Sequence, residues 1–296
     1  MPRPLTTPEL ILQRLDWRVL RRLDGLLQGD YRTMFYGGGV DFANLREYEP
    51  GDDVRRIDWN VTARMATPFV RQYVADREVT AWLLLDRSHS MQFGAFDRPK
   101  DLVLTEFVTT LARLFTRGGN RVGAILFNNE IERAVEPRSG RNQVLRIARH
   151  LLDPAAPTGT ATDLSILLRT AMHTIRRRSL VFVISDFISE PGWHRHLGLL
   201  AQRHEVVAIR LWDPRETELP EVGFVVLQDA ETGEHLHVDT SDPVFQRRFR
   251  DAARAREEQL ATATKRAGVD LHSVATDEDL VRALVRMVDA RRRRRH

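Results

Sequence analysis

Apolar positions recur along this chain at two different spacings. Between Glu9 and Leu27, Leu10, Leu15, Val19, Leu23 and Leu26 fall three to five residues apart, which predicts an amphipathic helix ending near Gly29. From Tyr36 to Pro50 no period is sustained and Gly37, Gly38 and Gly39 are consecutive, so loops with short extended pieces are expected there. From Val79 onward, short apolar runs alternate with helical patterns. Strands are predicted over Ala81–Leu85, Val122–Phe127, Ile131–Val135, Leu180–Ile184, Val206–Leu211 and Val269–Val274. Helices are predicted over Leu102–Phe115, Val144–Leu152, Asp163–Ile175, His194–Gln202, Pro243–Ala267 and Asp277–Val288. Val222–Leu227 and His235–Val238, joined by a turn at Asp229–Gly233, read as a β-hairpin inserted before the long helix.

Strands that alternate with helices need right-handed crossovers, and the result is a doubly wound α/β fold with a mostly parallel sheet. Three segments follow from this reading. Residues 1–78 carry a helix and a charged stretch that packs on the main domain, 79–290 form the α/β domain with its hairpin at about 220–240, and 291–296 are a basic disordered tail.

Composition narrows the chemistry. With no cysteine in 296 residues there is no disulfide, thiolate metal site or cysteine nucleophile, which fits a reducing compartment. Neither a leader-like start nor a run of about 20 apolar residues occurs, so a cytoplasmic protein without a membrane span is expected. Removing the five arginines of 291–295 turns the formal charge of +4 into −1, so the body is not expected to bind nucleic acid.

In an open α/β sheet, ligands bind at the carboxyl ends of the strands. The first apolar strand runs into Asp86-Arg87-Ser88-His89-Ser90-Met91, where a period of two puts Asp86, Ser88 and Ser90 on one side and His89 on the other. A later strand ends at Ser185-Asp186, and between them a helix opens at Thr160-Ala161-Thr162-Asp163-Leu164. All of these donors are hard oxygens, suited to Mg²⁺ or Mn²⁺ rather than to zinc. Hydroxyls keep the charge density low and leave such an ion electrophilic towards an incoming carboxylate. Asp86, Ser88 and His89 are a poor hydrolase set, because His89 faces away from Ser88 and no glycine-framed nucleophile elbow surrounds them. The pairs His194/His196 and His235/His237 read as helix and hairpin surface, and Gly37–Gly39 lacks the lysine of a phosphate-binding loop.

Asp-x-Ser-x-Ser, a threonine opening a helix and an aspartate after a later strand resemble, in that order, the metal-ion-dependent adhesion site of von Willebrand factor A domains. The resemblance assigns Asp86, Ser88 and Ser90 to its first loop, Thr162 to its second and Asp186 to its third. Thr162 is preferred to Thr160 because Thr-Asp-Leu directly opens the helix.

Ahead of this domain, Arg46-Glu47-Tyr48-Glu49-Pro50-Gly51-Asp52-Asp53-Val54-Arg55-Arg56-Ile57-Asp58-Trp59-Asn60 resembles the signature of the bacterial "domain of unknown function 58" family. That resemblance implies a von Willebrand A-like partner domain and an adaptor or co-chaperone role beside a MoxR-type AAA+ ATPase and its client proteins; with the poor hydrolase set above, a non-enzymatic protein is expected. Physically, Pro50-Gly51 predicts a turn, Asp52, Asp53, Arg55, Arg56 and Asp58 offer ion pairs, and Trp59 is expected to anchor the segment by burial. The segment is a cross-brace on this reading, or else a docking surface.

Overall fold

The computed structural model describes residues 7–10, 44–50, 52–54, 57–65, 67–72, 79–95, 98–154, 161–228 and 235–294. The chain divides into two units, Gln28–Glu78 on one side and Met1–Leu27 with Val79–His296 on the other. Most of the helix expected over 9–27, the triple glycine, Gly51, Arg55 and Arg56 lie outside the described residues.

In the smaller unit, β1 (Asn44–Glu47) pairs antiparallel with β2 (Phe69–Gln72), and α1 (Trp59–Met65) lies between them in sequence. Asp58 starts α1 as a cap: its Oδ1 accepts from the amides of Asn60 (3.0 Å) and Val61 (3.3 Å). Thr62 Oγ1 accepts from the amide of Phe69 at 3.0 Å, tying the helix to β2. Around Pro50, Asp52 Oδ2 accepts from the Glu49 amide and the Asp52 amide donates to the Glu49 carbonyl, both at 3.0 Å. Asp58 is buried, whereas Trp59 is 69% exposed, so Trp59 is not the expected anchor. The reason is local: none of the seven residues of α1 is buried, and the cap directs the inward position to Asp58.

The larger unit continues with β3 (Thr80–Asp86), β4 (Gly94–Ala95), β5 (Arg98–Pro99), α2 (Lys100–Arg117), β6 (Arg121–Asn128), β7 (Glu130–Arg138) and α3 (Arg141–Leu152). There follow α4 (Leu164–Thr174), β8 (Leu180–Ser185), α5 (Trp193–Arg203), β9 (Glu205–Trp212), β10 (Phe224–Gln228), β11 (His235–Asp239), α6 (Pro243–Ala267), β12 (Asp270–Ala275) and α7 (Leu280–Arg294). Six strands form one sheet in the order β12-β9-β8-β3-β6-β7, parallel throughout except for β7 against β6.

Strand β3 is buried on both faces, which is why its sequence is continuously apolar instead of alternating. Trp82 and Leu84 join Val181, Val183 and the inner faces of α4 and α5 in one core. On the opposite face, Phe115 of α2 meets Phe182 edge-on with ring centroids 5.7 Å apart. Gly123 makes room for Trp82, since a Cβ there would sit 2.9 Å from the indole and from Pro137. The fold is thus doubly wound α/β, with β10 and β11 as a separate antiparallel pair.

Helix α7 runs to Arg294, so Arg291–Arg294 extend a helix where a disordered tail was expected. Arginine is a good helix former, and positive charge suits the carboxyl end of a helix. No helix among the described residues is long and apolar enough to cross a membrane.

Candidate functional site

The first loop leaves β3 at Asp86, a fully buried carboxyl whose Oδ1 accepts from the Ser88 amide at 2.9 Å. The Met91 amide then donates to the Ser88 carbonyl at 3.0 Å, starting a 3₁₀ turn over His89–Gln92 with Met91 fully buried. The loop is therefore turned instead of extended, and the period-of-two argument does not describe it. The turn nonetheless brings Ser88 Oγ and Ser90 Oγ within 3.2 Å and leaves His89 exposed. Arg87 straps the loop down, its guanidinium reaching Glu132 Oε2 at 2.6 Å and the carbonyls of Leu151 and Asp153.

The second loop enters α4. Asp163 caps that helix by accepting from the Ser165 amide at 2.9 Å, so the buried Thr162 is not the cap. Thr160 lies outside the described residues. The third loop follows β8: Ser185 Oγ donates to Asp86 Oδ2 at 2.6 Å and accepts from the Phe187 amide at 2.8 Å. Phe187 adopts φ 59°, rare for a bulky side chain, and packs against Trp193 with centroids 5.2 Å apart. Loops two and three are stitched together by the Glu190 amide on the Thr162 carbonyl (2.8 Å) and the Leu164 amide on Ser189 Oγ (3.0 Å). All five predicted site residues are buried, on three loops at the carboxyl edge of the sheet, with the third loop bonded to each of the other two.

Two further residues complete this cluster. Lys100, the first residue of α2, is fully buried with Nζ 2.7 Å from Asp186 Oδ2 and 2.5 Å from Glu216 Oε1. A tight β4–β5 hairpin delivers it: Gly94 sits at φ 140°, where a Cβ would lie 2.8 Å from Pro99 Cα, and the Lys100 amide donates to the Phe93 carbonyl at 3.0 Å. Glu216 is carried by a short turn capped by Asp213, which accepts from the Arg215 amide (2.9 Å) and from Thr276 Oγ1 (2.6 Å). The sequence signal for Lys100 is its rarity, since it and Lys265 are the chain's two lysines among 45 basic residues. A compositional bias towards arginine produces the same rarity, and nothing local in sequence links Lys100 to Glu216.

Burial, aided by the charge of Asp186, pushes the Asp86 carboxyl up to about 6 against hydrogen bonds from Ser185 and Ser88. For Lys100, burial opposes the charge, but Asp186 and Glu216 outweigh it and hold the ammonium above its ordinary range. Burial also raises Glu216, in spite of Lys100 beside it. Asp186 and Glu216 thus share one ammonium, and Asp86 lies close enough to Asp186 to feel its charge. Among the described residues no three His, Asp or Glu side chains group as a metal cluster. A metal here would rest on Asp86 and Asp186 with the hydroxyls of Ser88, Ser90 and Thr162. That donor set is all hard oxygen, which fits a small divalent cation.

Beside Asp186 opens a cleft of about 720 Å³ running between the third loop and α6. Arg210, Arg256, Arg266 and His194 line it against a single acid besides Asp186, Glu258, while Phe187 and Trp193 give it an apolar side. Arg210 is buried, with its guanidinium 5.7 Å from the Trp212 ring centre and 3.4 Å from Glu257.

Residues 44–259 match the model of a family described as "Protein of unknown function DUF58". An uncharacterized protein of Mycobacterium tuberculosis is 40% identical over 283 residues, covering 95% of this chain and 89% of its own length. Among solved structures, the hypothetical protein BatB from Bacteroides thetaiotaomicron has a TM-score of 0.46 at 15% identity, over 71% of this chain and 99% of its own. The SpRpn10 VWA domain gives a TM-score of 0.39 at 12% identity, over 70% of this chain and 94% of its own. The chain belongs to the DUF58 family.

Proposed function

We propose that this member of the DUF58 family is a non-enzymatic protein-binding adaptor whose adhesion-type site holds Mg²⁺ or Mn²⁺ and captures an acidic side chain of its partner. The observation that carries this reading is the burial of Asp86, Ser88, Ser90, Thr162 and Asp186 together on three bonded loops at the carboxyl edge of the sheet. Those five residues would hold the ion, and the ion would offer an open coordination position to the partner's carboxylate. The arginine-lined cleft beside Asp186 supports an acidic partner, since its cations complement further carboxylates along the bound segment. An exposed His89, away from the buried Ser88, supports binding over hydrolysis.

The signature segment supports a MoxR-type AAA+ ATPase as the machine this adaptor serves, working on client proteins in the cytoplasm. ATP turnover then belongs to the partner.

Thermal unfolding with EDTA and then with about 10 mM Mg²⁺ tests the reading. For a Kd near 1 mM, wild type gains about 1.4 kcal/mol, seen as a rise of a few degrees, and Asp186→Ala gains nothing. Equal behaviour of the two proteins defeats the metal site. Asp86→Ala should also abolish Mg²⁺-dependent retention of the ATPase while the chain stays folded, and undiminished retention would overturn the adhesion mechanism.

A further inference from the structure

The oxygen of Asp186 that faces away from its own backbone is already in use. Oδ1 accepts from the Ile188 amide at 3.0 Å, which leaves Oδ2 as the oxygen open to an ion, and Oδ2 is held by Lys100 Nζ at 2.7 Å. The same ammonium lies 2.5 Å from Glu216 Oε1, so it has a second carboxylate within reach without moving its helix. The Asp186 contact is fully buried and the Glu216 contact mostly so, which leaves little room for solvent screening. Lysine suits this position: a compact charge on a flexible stem can shift between two carboxylates, whereas a planar guanidinium fixes its fork in one geometry.

We propose that Lys100 is a resident cation that competes with the divalent ion for Asp186, yielding it on metal entry and retreating onto Glu216. The idea rests on the metal reading above. It adds that the site is tuned to weak resting affinity, and that the turn carrying Glu216 sets how weak. Asp213 and Thr276 hold that turn, so whatever moves it moves the affinity.

Calorimetric titration of the full chain with Mg²⁺ alone tests this on wild type, Lys100→Met, Glu216→Gln and Arg210→Met. Lys100→Met should bind Mg²⁺ roughly tenfold tighter or better, because an adjacent positive charge is gone. Glu216→Gln should bind it several-fold more weakly, because Lys100 then has only Asp186. Arg210→Met loses the same charge without touching Asp186 and should stay within about threefold of wild type. In parallel, ¹³C-lysine spectra contain two side-chain signals, and Mg²⁺ should move that of Lys100 while leaving Lys265 in place.

Equal Mg²⁺ affinity in wild type, Lys100→Met and Glu216→Gln would overturn the competition and leave the metal site standing. A gain in Arg210→Met as large as in Lys100→Met would also overturn it, showing a general field effect. Silence in all four proteins, with no lysine signal moved, would remove the metal reading and this one together. Should Lys100→Met fail to fold, Glu216→Gln and the lysine spectra decide.

Discussion

The aspartates of the two units do opposite work with the same side chain. In the signature segment, Asp58 Oδ1 caps α1 and Asp52 Oδ2 closes a turn onto the Glu49 amide. In the larger unit, Asp86 and Asp186 also take one backbone amide each, but each keeps its second oxygen for side-chain chemistry, on Ser185 and on Lys100. The first pair shapes local backbone. The second pair is buried, and close enough that the charge of Asp186 helps to raise the Asp86 carboxyl. Burial alone does not separate the cases, because Asp58 is buried as well.

Four substitutions or conditions sharpen this contrast. Lys100→Ala should cost the metal-free protein about 3–5 kcal/mol in urea unfolding, because it strands Asp186 and Glu216 without a buried counter-charge. A cost near 1 kcal/mol would mean that the carboxyls simply take up protons. Next comes pH. The folded, metal-free chain keeps a proton on Asp86 up to about pH 6, while the unfolded chain releases it from about 3.8, so ionising Asp86 costs stability as pH rises through that window. Mg²⁺ binds the ionised form, so its stabilising effect of about 1–2 kcal/mol at pH 7.5 should fade as pH falls through about 6. A pH-independent Mg²⁺ shift places the ion elsewhere.

Asp58→Ala should cost about 1 kcal/mol for the lost cap and leave the Mg²⁺ shift unchanged. Loss of that shift would show that the signature segment governs the metal site. Trp59→Ala, on an exposed ring, should change stability by no more than about 0.5 kcal/mol. Intact stability with lost retention of the ATPase would identify the signature segment as a docking surface; a cost of several kcal/mol would restore the brace.

The α/β order was legible because parallel strands and amphipathic helices carry their own periodicity, down to the bounds of the helix at Pro243–Ala267. The Asp-x-Ser-x-Ser loop was legible because its residue types are close in sequence. Its true conformation was not, since the turn over His89–Gln92 depends on Met91 finding a buried slot. Lys100 was illegible for a related reason: at the start of a helix it reads as a solvated charge, and its burial depends on Gly94 and on Glu216, 116 positions away. Trp59 misled because an aromatic ring predicts burial only when its helix has a buried face, and α1 has none.

The site hangs from β3 and β8, the two innermost strands of the six, each hydrogen-bonded on both sides. Amides in such strands should exchange with deuterium most slowly, whereas those of the two-stranded β10–β11 ladder, with Phe224 86% exposed, should exchange sooner. The loops bearing Asp86 and Asp186 inherit that protection at their roots. Their geometry should therefore persist for as long as the domain itself stays folded, unaffected by fraying at its margins.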